Sequence, residues 1–240
     1  VGGVEADRSS RARFACVLSL DLCRLDRVLE IDRDSRCVRV QGGTYGPALE
    51  AQLRPHGYTL RHFPQSFEFS TVGGWIATRA GGHYATLYTH IDDFVESVRM
   101  VTPKGVMETR RLPGNGAGPQ EERLVLGSEG AFGVITEAWL RVQDLPRCRA
   151  RCTVLFETFA AGASACRALS QSGLFPANAR LIEREEAMFM GAGDGQHHVL
   201  VLGFESAALP QEEKLRAALA ICEAEGGKPR KPSVENQSHA

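Results

Sequence analysis

Two glycine-rich segments limit what this chain can fold into. Residues 71–82 read TVGGWIATRAGG and residues 127–136 read GSEGAFGVIT. Ordered glycine costs backbone entropy, so paired glycines beside strand-like sequence indicate a tight bend or a close approach of the backbone. One such approach is to a diphosphate, because bare amide N–H groups can point at its oxygens. Each segment alone is equally compatible with two tight turns; together they favour a diphosphate-containing cofactor.

The composition sets the broad class. The chain has 240 residues, of which 43% are hydrophobic and 24% charged, as in globular proteins of one large or two ordinary domains. The formal net charge is −1 and no long run has one sign, so nothing indicates a nucleic-acid partner. No apolar stretch is long enough to cross a bilayer, and no basic-then-apolar leader is present. We expect an intracellular protein without a transmembrane segment.

The cysteines indicate neither zinc nor a disulfide framework. Their number is odd, and no C-x-x-C pair is matched by a second pair or a histidine pair, so we expect no metal site. Reduced thiols in a cytosol-like compartment are the expected state. The seven are Cys16, Cys23, Cys37, Cys148, Cys152, Cys166 and Cys222.

Hydrophobic alternation and turn residues predict a strand-rich first region. Asp32 and its neighbours supply turn chemistry for one hairpin, and Pro103 with Gly105 for a second. Gly46-Pro47 opens a helix that Gly57 ends. The predicted strands are 14–20, 28–31, 37–40, 94–101, 106–109 and 134–142, the last with positions 134, 136, 138, 140 and 142 on one side.

The order of predicted strands and helices changes near residue 146, where we place a domain boundary. Strands at 152–156, 178–182 and 199–204 then alternate with helices at 160–170 and 211–225, with a short helical stretch before the last strand. This β-α-β-β-α order predicts an incomplete α+β domain of the ferredoxin-like kind. Residues 228–240 are polar and interrupted by proline, which predicts disorder.

These motifs together resemble the PCMH-type FAD-binding flavoproteins, the vanillyl-alcohol oxidase superfamily. Residues 40–44 (VQGGT), 57–58 and the Gly-Gly turn stand in the superfamily's order, as do 91–95, 101–105 and 127–130. Within it, residues 64–80 (PQSFEFSTVGGWIATRA) resemble the alkylglycerone-phosphate synthases and their bacterial FAD-linked oxidase relatives. Flavin 2-hydroxyacid dehydrogenases usually carry Asn where Trp75 and Arg79 stand.

The resemblance covers nearly all of residues 1–227 and implies an α+β fold. Residues 1–145 would be the second half of a PCMH-type FAD-binding domain, residues 146–227 a partial ferredoxin-like cap domain, and 228–240 a disordered tail. The chain begins without Met inside a glycine-rich stretch, so we expect a fragment of a longer protein.

The cofactor implied is FAD. Ser66, Ser70 and Thr71 are short hydroxyl donors suited to its ribityl or diphosphate oxygens, and Gly73-Gly74 would let amides approach the diphosphate. The full set of implied contacts is Pro64, Gln65, Ser66, Phe67, Glu68, Phe69, Ser70, Thr71, Gly73, Gly74, Ala77, Thr78, Arg79, Ala80, Glu129, Gly130, Ala131, Phe132, Gly133, Val134 and Ile135.

Several of these residues have structural alternatives. Glu68 is equally suited to capping a turn, and Trp75 is expected in the core. For Phe67, Phe69 and Phe132, core packing is favoured over stacking on the flavin. Elsewhere, residues 42–46 look like a dinucleotide glycine loop but lack the β-α-β context. His83-Tyr84 could lie near the flavin or on the surface, and His197-His198 open a strand.

Arg180 is the one implied substrate residue. It lies on an otherwise apolar strand, where a guanidinium needs an anion. In a synthase that anion would be the substrate phosphate, and in a dehydrogenase a carboxylate. The alternative is an ion pair with Glu183 or Glu185 at the surface.

The implied reaction replaces the acyl group of an acyl-dihydroxyacetone phosphate by a long-chain alcohol, with flavin as the nucleophile and no net redox change. The family's catalytic Tyr and histidine cluster match no residue here, so no catalytic residue is predicted in this chain. Two alternatives stay open: an FAD-dependent oxidase or dehydrogenase of 2-hydroxy acids or alcohols, and a non-catalytic, truncated flavin-fold module.

The expected partners follow from that reaction. They are a small-molecule lipid-phosphate substrate, a membrane surface bound peripherally, and a second copy in a homodimer. The expected compartment is the cytoplasm if the protein is bacterial and the peroxisome if it is eukaryotic.

Overall fold

The computed structural model describes residues 18–84, 90–112 and 116–236. The chain divides into two compact units, the first formed by residues 1–82 and 90–143 and the second by residues 83–89 and 144–240. Of the strand predicted over 14–20, residues 14–17 lie outside the described part. Residues 18–20 are not a strand, because Leu18 and Leu20 are exposed and no described strand pairs with them.

The first unit contains seven described strands: β1 (Val28–Asp32), β2 (Cys37–Gln41), β3 (Tyr58–Thr59), β4 (Val95–Thr102), β5 (Gly105–Glu108), β6 (Val134–Arg141) and β7 (Gln143–Asp144). Five of them form a sheet in the order β1-β2-β6-β4-β5, with each neighbouring pair antiparallel. Both predicted hairpins, β1–β2 and β4–β5, are confirmed.

Three helices connect these strands: α1 (Gly46–Leu53), α2 (Val72–Thr78) and α3 (Glu122–Val125). Helix α1 has Pro47 in its first turn, where a missing N–H costs nothing, and buries Leu49 and Leu53 as predicted. A 3₁₀ turn (Arg54–His56) follows and ends at Gly57, whose φ of +83° is left-handed. A second 3₁₀ turn covers Ile91–Asp93. None of the described helices is long and apolar enough to span a bilayer.

Strand β6 departs from the predicted alternation. Ile135, Ala138 and Leu140 are buried, whereas Val134 and Thr136 are only partly so. The register against β4 shifts here, because Arg99 pairs with Glu137 while Met100 pairs with Ile135. Thr136 is the extra residue of a β-bulge, and a bulge reverses which face the preceding side chains occupy. The prediction that positions 134, 136, 138, 140 and 142 lie on one side of the strand was therefore wrong for positions 134 and 136.

The second unit has the chain order β8 (Cys148–Phe156), α4 (Phe159–Gln171), β9 (Asn178–Ile182), α5 (Arg184–Phe189), β10 (His198–Ser206), α6 (Glu212–Ala224), β11 (Lys228–Pro229) and β12 (Ser233–Asn236). Its antiparallel sheet runs β11-β8-β10-β9. Apart from α5, the order β8 to β11 is the β-α-β-β-α-β order of the ferredoxin-like fold. The predicted α+β class is confirmed.

The end of the chain corrects the predicted disorder of residues 228–240. Strands β11 and β12 both pair with β8, and Cys152 Sγ lies 3.1 Å from the Arg230 carbonyl. Pro229 and Pro232 interrupt this segment, but an edge strand tolerates proline because its outward N–H needs no partner. Residues 237–240 lie outside the described part.

A histidine is buried in the core of the first unit. The ring of His62 is edge-on to Trp75 at 5.2 Å and to Phe94 at 5.7 Å, and only 1% of the residue is exposed. Neither ring nitrogen has a hydrogen-bond partner among the described residues. Burial lowers the pKa of His62 to about 4, with a smaller effect from the charge of His90. His62 is therefore neutral in the folded protein at neutral pH.

This burial predicts acid sensitivity of the first unit. Unfolded His62 titrates near its ordinary value of 6.5, so between pH 6.5 and about 4 the unfolded chain binds the extra proton. The part of the free energy of unfolding that depends on neutral His62 is therefore complete above pH 6.5. It declines as the pH falls toward 4, by about 3 kcal/mol in total. Urea unfolding followed by tryptophan fluorescence should show this loss, and His62→Leu should remove it.

Fluorescence isolates the first unit because both tryptophans, Trp75 and Trp139, belong to it. His56 is exposed, so His56→Gln is the matched control and should keep the wild-type pH dependence. An unchanged slope in His62→Leu would contradict the assignment to His62.

Candidate functional site

The first glycine-rich segment and the start of β6 are joined by a close contact between backbones. The Gly73 N–H donates to the Gly42 carbonyl at 2.8 Å, and the Gly42 N–H donates to the Thr136 carbonyl at 2.8 Å. A Cβ atom at Gly42 would lie 2.3 Å from the Ile135 oxygen, and one at Gly73 would lie 2.9 Å from the Gly42 oxygen. The Gly73 amide therefore holds α2 against the turn after β2, and the predicted approach of Gly73 to a diphosphate stays a prediction.

The second glycine-rich segment closes the other end of α2. The N–H groups of Gly127 and Glu129 donate to the carbonyls of Ile76 and Ala77 at 3.0 and 2.9 Å. These carbonyls belong to the last turn of α2, where few helical donors remain, and the Ile76 carbonyl also accepts from the Arg79 N–H at 3.3 Å. Left-handed φ angles at Gly127, Glu129, Gly130 and Gly133 let the segment make this contact. The two segments that the sequence singled out therefore form one site.

At its N-terminal end α2 is held by two threonines. Thr71 Oγ1 accepts from the Gly74 N–H at 3.3 Å, and the Thr44 carbonyl accepts from the Val72 N–H at 2.9 Å. The Gly74 amide is thus part of a helix cap. The predicted contacts of both glycines with the cofactor have no support from their amides and stay predictions.

Residues 65–69 form consecutive turns, and the segment that contains them is joined to α2 by a chain of polar contacts. The indole N–H of Trp75 donates to Ser70 Oγ at 2.6 Å, and Ser70 Oγ lies 2.7 Å from the Ser66 carbonyl and 2.9 Å from Ser66 Oγ. Phe67 stacks on Trp75 with ring centroids 6.2 Å apart. Trp75 is 1% exposed, which confirms its place in the core.

Two aromatic rings in this region are exposed. Phe69 is 84% exposed and Phe132 is 53% exposed, so core packing, the favoured alternative for both, was wrong. Phe132 and Ala131 line an apolar groove of about 400 Å³ together with Met100, Met107 and Leu124. Rings that the fold leaves uncovered are available to pack on a planar ligand.

Two buried hydroxyls lack partners. Thr44 Oγ1 and Ser128 Oγ are inaccessible to solvent and have no hydrogen-bond partner among the described residues. The Thr44 carbonyl accepts from the Val72 N–H at the N-terminal end of α2. Ser128 lies between Gly127 and Glu129, whose N–H groups donate to the carbonyls at the other end of the helix. Hydroxyl donors at both ends and exposed rings nearby are the groups that the oxygens and ring systems of FAD require. The residues present therefore fit FAD.

The predicted contacts divide by exposure. Solvent reaches Gln65, Ser66, Glu68, Phe69, Thr78, Arg79, Glu129, Gly130, Ala131 and Phe132 freely. The others are buried or partly buried: Pro64, Phe67, Ser70, Thr71, Gly73, Gly74, Ala77, Ala80, Gly133, Val134 and Ile135.

Arg79 has a structural partner that the sequence did not reveal. Asp92 Oδ2 accepts from Arg79 Nη2 at 2.7 Å and from Arg123 Nη1 at 3.0 Å, and the Asp92 side chain is only 8% exposed. Burial opposes the charge of Asp92, but the hydrogen bond from Arg79 and the charges of both arginines outweigh it and lower the pKa of Asp92. The role of Arg79 toward FAD stays a prediction, since its guanidinium already holds Asp92.

In the second unit, Arg180 Nη2 pairs with Glu186 Oε1 at 3.1 Å, and both side chains are about half exposed. Its sequence alternative was an ion pair with Glu183 or Glu185; the partner is a different glutamate. His197 pairs with Asp194 at 2.9 Å, and His198 Nδ1 accepts from the Arg184 N–H at 3.3 Å. In the described ranges no three His, Cys, Asp or Glu side chains gather as metal ligands.

Comparison with known proteins adds sequence similarity to this geometry. A family of FAD binding domains matches residues 7–110. The alkyldihydroxyacetonephosphate synthase of Dictyostelium discoideum is 41% identical over 186 residues, covering 78% of this chain and 30% of that protein. The uncharacterized FAD-linked oxidoreductase YgcU of Escherichia coli (strain K12) is 31% identical over 169 residues, covering 70% of this chain and 35% of that protein.

A solved structure of alkyldihydroxyacetonephosphate synthase superposes with a TM-score of 0.78 at 32% identity. The superposition covers 89% of this chain and 43% of that structure. The chain thus spans about a third of the length of the curated relatives it matches. With its glycine motifs joined around α2 and its FAD-binding domain, the chain belongs to the PCMH-type FAD-binding flavoproteins, the family that includes the alkyldihydroxyacetonephosphate synthases.

Proposed function

We propose that this chain is part of an FAD-dependent enzyme that replaces the acyl group of an acyl-dihydroxyacetone phosphate by a long-chain alcohol. The products are an alkyl-dihydroxyacetone phosphate and a fatty acid. The observation that carries the proposal is the site around α2, formed by the motif residues in which the chain resembles the synthases. Similarity to a synthase over 78% of the chain supports the same reaction.

The chain's own residues would bind and orient rather than react. Thr44 and Ser128 would donate their unpartnered hydroxyls to oxygens of FAD, and Phe69 and Phe132 would pack on its rings. When bound, FAD supplies the nucleophile of the exchange. The close packing of Gly42 and Gly73 fixes α2, so these groups are held before the cofactor arrives.

Arg180 would hold the phosphate of the substrate. Its present partner, Glu186, is half exposed, and exposed ion pairs contribute little stability. A phosphate accepts two parallel N–H donors from a guanidinium, so it can replace the carboxylate favourably.

An oxidoreductase acting on 2-hydroxy acids or alcohols is the second candidate. Similarity to an FAD-linked oxidoreductase at 31% identity favours it. Trp75 and Arg79, at positions where the hydroxyacid dehydrogenases usually carry Asn, favour the synthase.

The compartment and partners belong to the same proposal. The six described cysteines are free thiols, which supports a reducing, intracellular location. A long-chain alcohol partitions into lipid, which supports peripheral membrane association. A homodimer is proposed from the family resemblance alone.

The exposed rings provide a test of FAD binding that does not disturb the fold. Phe69→Ser and Phe132→Ser should each weaken FAD retention about three- to tenfold, the contribution of one aromatic contact. Retention is measured from flavin absorbance and fluorescence after dialysis. Phe175 is 55% exposed in the second unit, so Phe175→Ser is the matched control and should retain FAD fully. Wild-type retention in both site variants would contradict the assignment.

Replacing the unpartnered hydroxyl of Thr44 tests FAD binding separately from the stability of the fold. Thr44→Val should weaken FAD retention about tenfold, while the urea midpoint is kept or rises, because a buried hydroxyl without a partner costs stability. Thr59 is the control, since its buried Oγ1 donates to Glu50 Oε2 at 2.8 Å. Thr59→Val should lower the midpoint instead. A lowered midpoint in Thr44→Val would mean that Thr44 has a structural partner.

The reaction itself is tested on the flavin-loaded protein that contains this chain. Supplied with palmitoyl-dihydroxyacetone phosphate and hexadecanol, it should release palmitate and form the alkyl product without reducing an acceptor dye. Arg180→Met should raise KM for the phosphate substrate with a smaller effect on kcat. Dye reduction with D-lactate and no exchange would instead establish the oxidoreductase.

A further inference from the structure

One carboxylate joins three separate segments of the first unit. Asp92 lies in the 3₁₀ turn Ile91–Asp93, and its Oδ2 accepts from Arg79 Nη2 at 2.7 Å and from Arg123 Nη1 at 3.0 Å. Arg79 follows the last turn of α2, and Arg123 belongs to α3. The Asp92 side chain is 8% exposed, and hydrogen bonds between ionised groups are stronger than neutral ones. Asp92 therefore ties the end of α2 to α3.

The turn that carries Asp92 is itself fixed to the chain after α2. The Ile91 N–H donates to the Ala80 carbonyl at 2.9 Å. Within the turn, the His90 N–H donates to Asp93 Oδ2 at 3.3 Å. The carboxylate of Asp92 therefore has a defined position, to which both arginine side chains are held.

The aliphatic part of Arg79 also lies against the second glycine-rich segment. A Cβ atom at Gly127 would lie 2.7 Å from Arg79 Cδ and 2.9 Å from its Cγ, so this side chain occupies the space beside the glycine. Gly127 begins the loop that carries the exposed ring of Phe132, and the helix that leads into the same loop contains Arg123. Through its two arginine partners, Asp92 therefore acts on this loop from both sides.

The segment of residues 64–71, which carries the other exposed ring, is held differently. The Trp75 indole N–H donates to Ser70 Oγ at 2.6 Å, and this bond joins the segment directly to α2. Within the described part of the chain, no hydrogen bond or ion pair joins residues 64–71 to Asp92. Phe69 therefore provides an internal comparison for Phe132.

We propose that Asp92 is a positioning residue for FAD, acting through its two arginine partners. It fixes the loop that carries Phe132 before the cofactor arrives, and it does not itself touch FAD. A loop that is ordered by folding does not have to be ordered by binding, which lowers the free-energy cost of binding. The inference rests on the proposed function, in which Phe69 and Phe132 pack on FAD, and it deepens that function by naming the residue that positions one ring and not the other.

Double-mutant cycles on FAD affinity test this in the protein that contains this chain, with the Kd measured from flavin fluorescence. Asp92→Asn keeps the shape of the side chain but removes its charge, and should weaken FAD binding about tenfold. Phe132→Ser should weaken binding about three- to tenfold in the wild-type background but less than about twofold in Asp92→Asn, because the loop is then already displaced. Phe69→Ser should have the same effect in both backgrounds.

A second variant keeps the test decisive if Asp92→Asn does not fold. Arg123→Met removes one of the two ion pairs and leaves the other, so it should weaken FAD binding about threefold. It should also reduce the effect of Phe132→Ser and leave that of Phe69→Ser unchanged.

Glu96→Gln is the matched control in the same unit. The Glu96 side chain is 9% exposed and accepts from Arg141 Nη2 at 3.1 Å, so it too is a buried carboxylate paired with a partly exposed arginine. Glu96→Gln should lower the urea midpoint about as much as Asp92→Asn. It should leave the Kd for FAD unchanged, since neither partner holds the loop of Phe132.

Wild-type FAD affinity in Asp92→Asn and Arg123→Met would overturn the inference, as would an undiminished effect of Phe132→Ser in either background. An equal loss of affinity in Glu96→Gln would also overturn it, because the effect would then come from general stability. Each of these results contradicts the role of Asp92 alone. Failure of the wild-type protein to bind FAD would instead overturn the proposed function together with this inference.

Discussion

The contact between the Gly73 amide and the Gly42 carbonyl is the constraint on which the candidate FAD site depends. It brings α2 within backbone distance of Ile135 and Thr136 at the start of β6. A side chain at either glycine would displace this contact, because its Cβ would lie within 3 Å of a carbonyl oxygen. Once α2 is fixed there, its last carbonyls meet the amides of Gly127 and Glu129, and the loop that carries Phe132 is positioned as a consequence.

Much of the fold was readable from local patterns. Turn residues such as Asp32 and Gly105 define hairpins by themselves, and Gly57 ends the 3₁₀ turn that follows α1, since each acts on its immediate neighbours. The prediction failed where a distant strand decides. Thr136 is a bulge only because Arg99 and Met100 pair around it, and the segment from Lys228 is ordered only because β8 offers a free edge. The alternation of apolar and polar residues within one strand shows neither the bulge nor the pairing with β8.

The candidate site divides in the same way. The glycine motifs located it, because glycine spacing is a sequence property. The hydrogen-bond partners of its side chains could not be predicted from the sequence. Asp92, which accepts from Arg79, belongs to a different motif. That the Thr44 hydroxyl lacks a partner is known only once the residues around it are known. The prediction that aromatic rings pack in the core was confirmed for Trp75 and wrong for Phe69 and Phe132. Burial is a property of the whole unit, so a motif cannot supply it.

Glycine has two physical meanings at the candidate site, and contacts distinguish them. At Gly73 a Cβ would collide with backbone, so the residue serves packing. At Gly130 a Cβ would meet nothing closer than 4.0 Å, but φ is +82°, so the residue serves a turn.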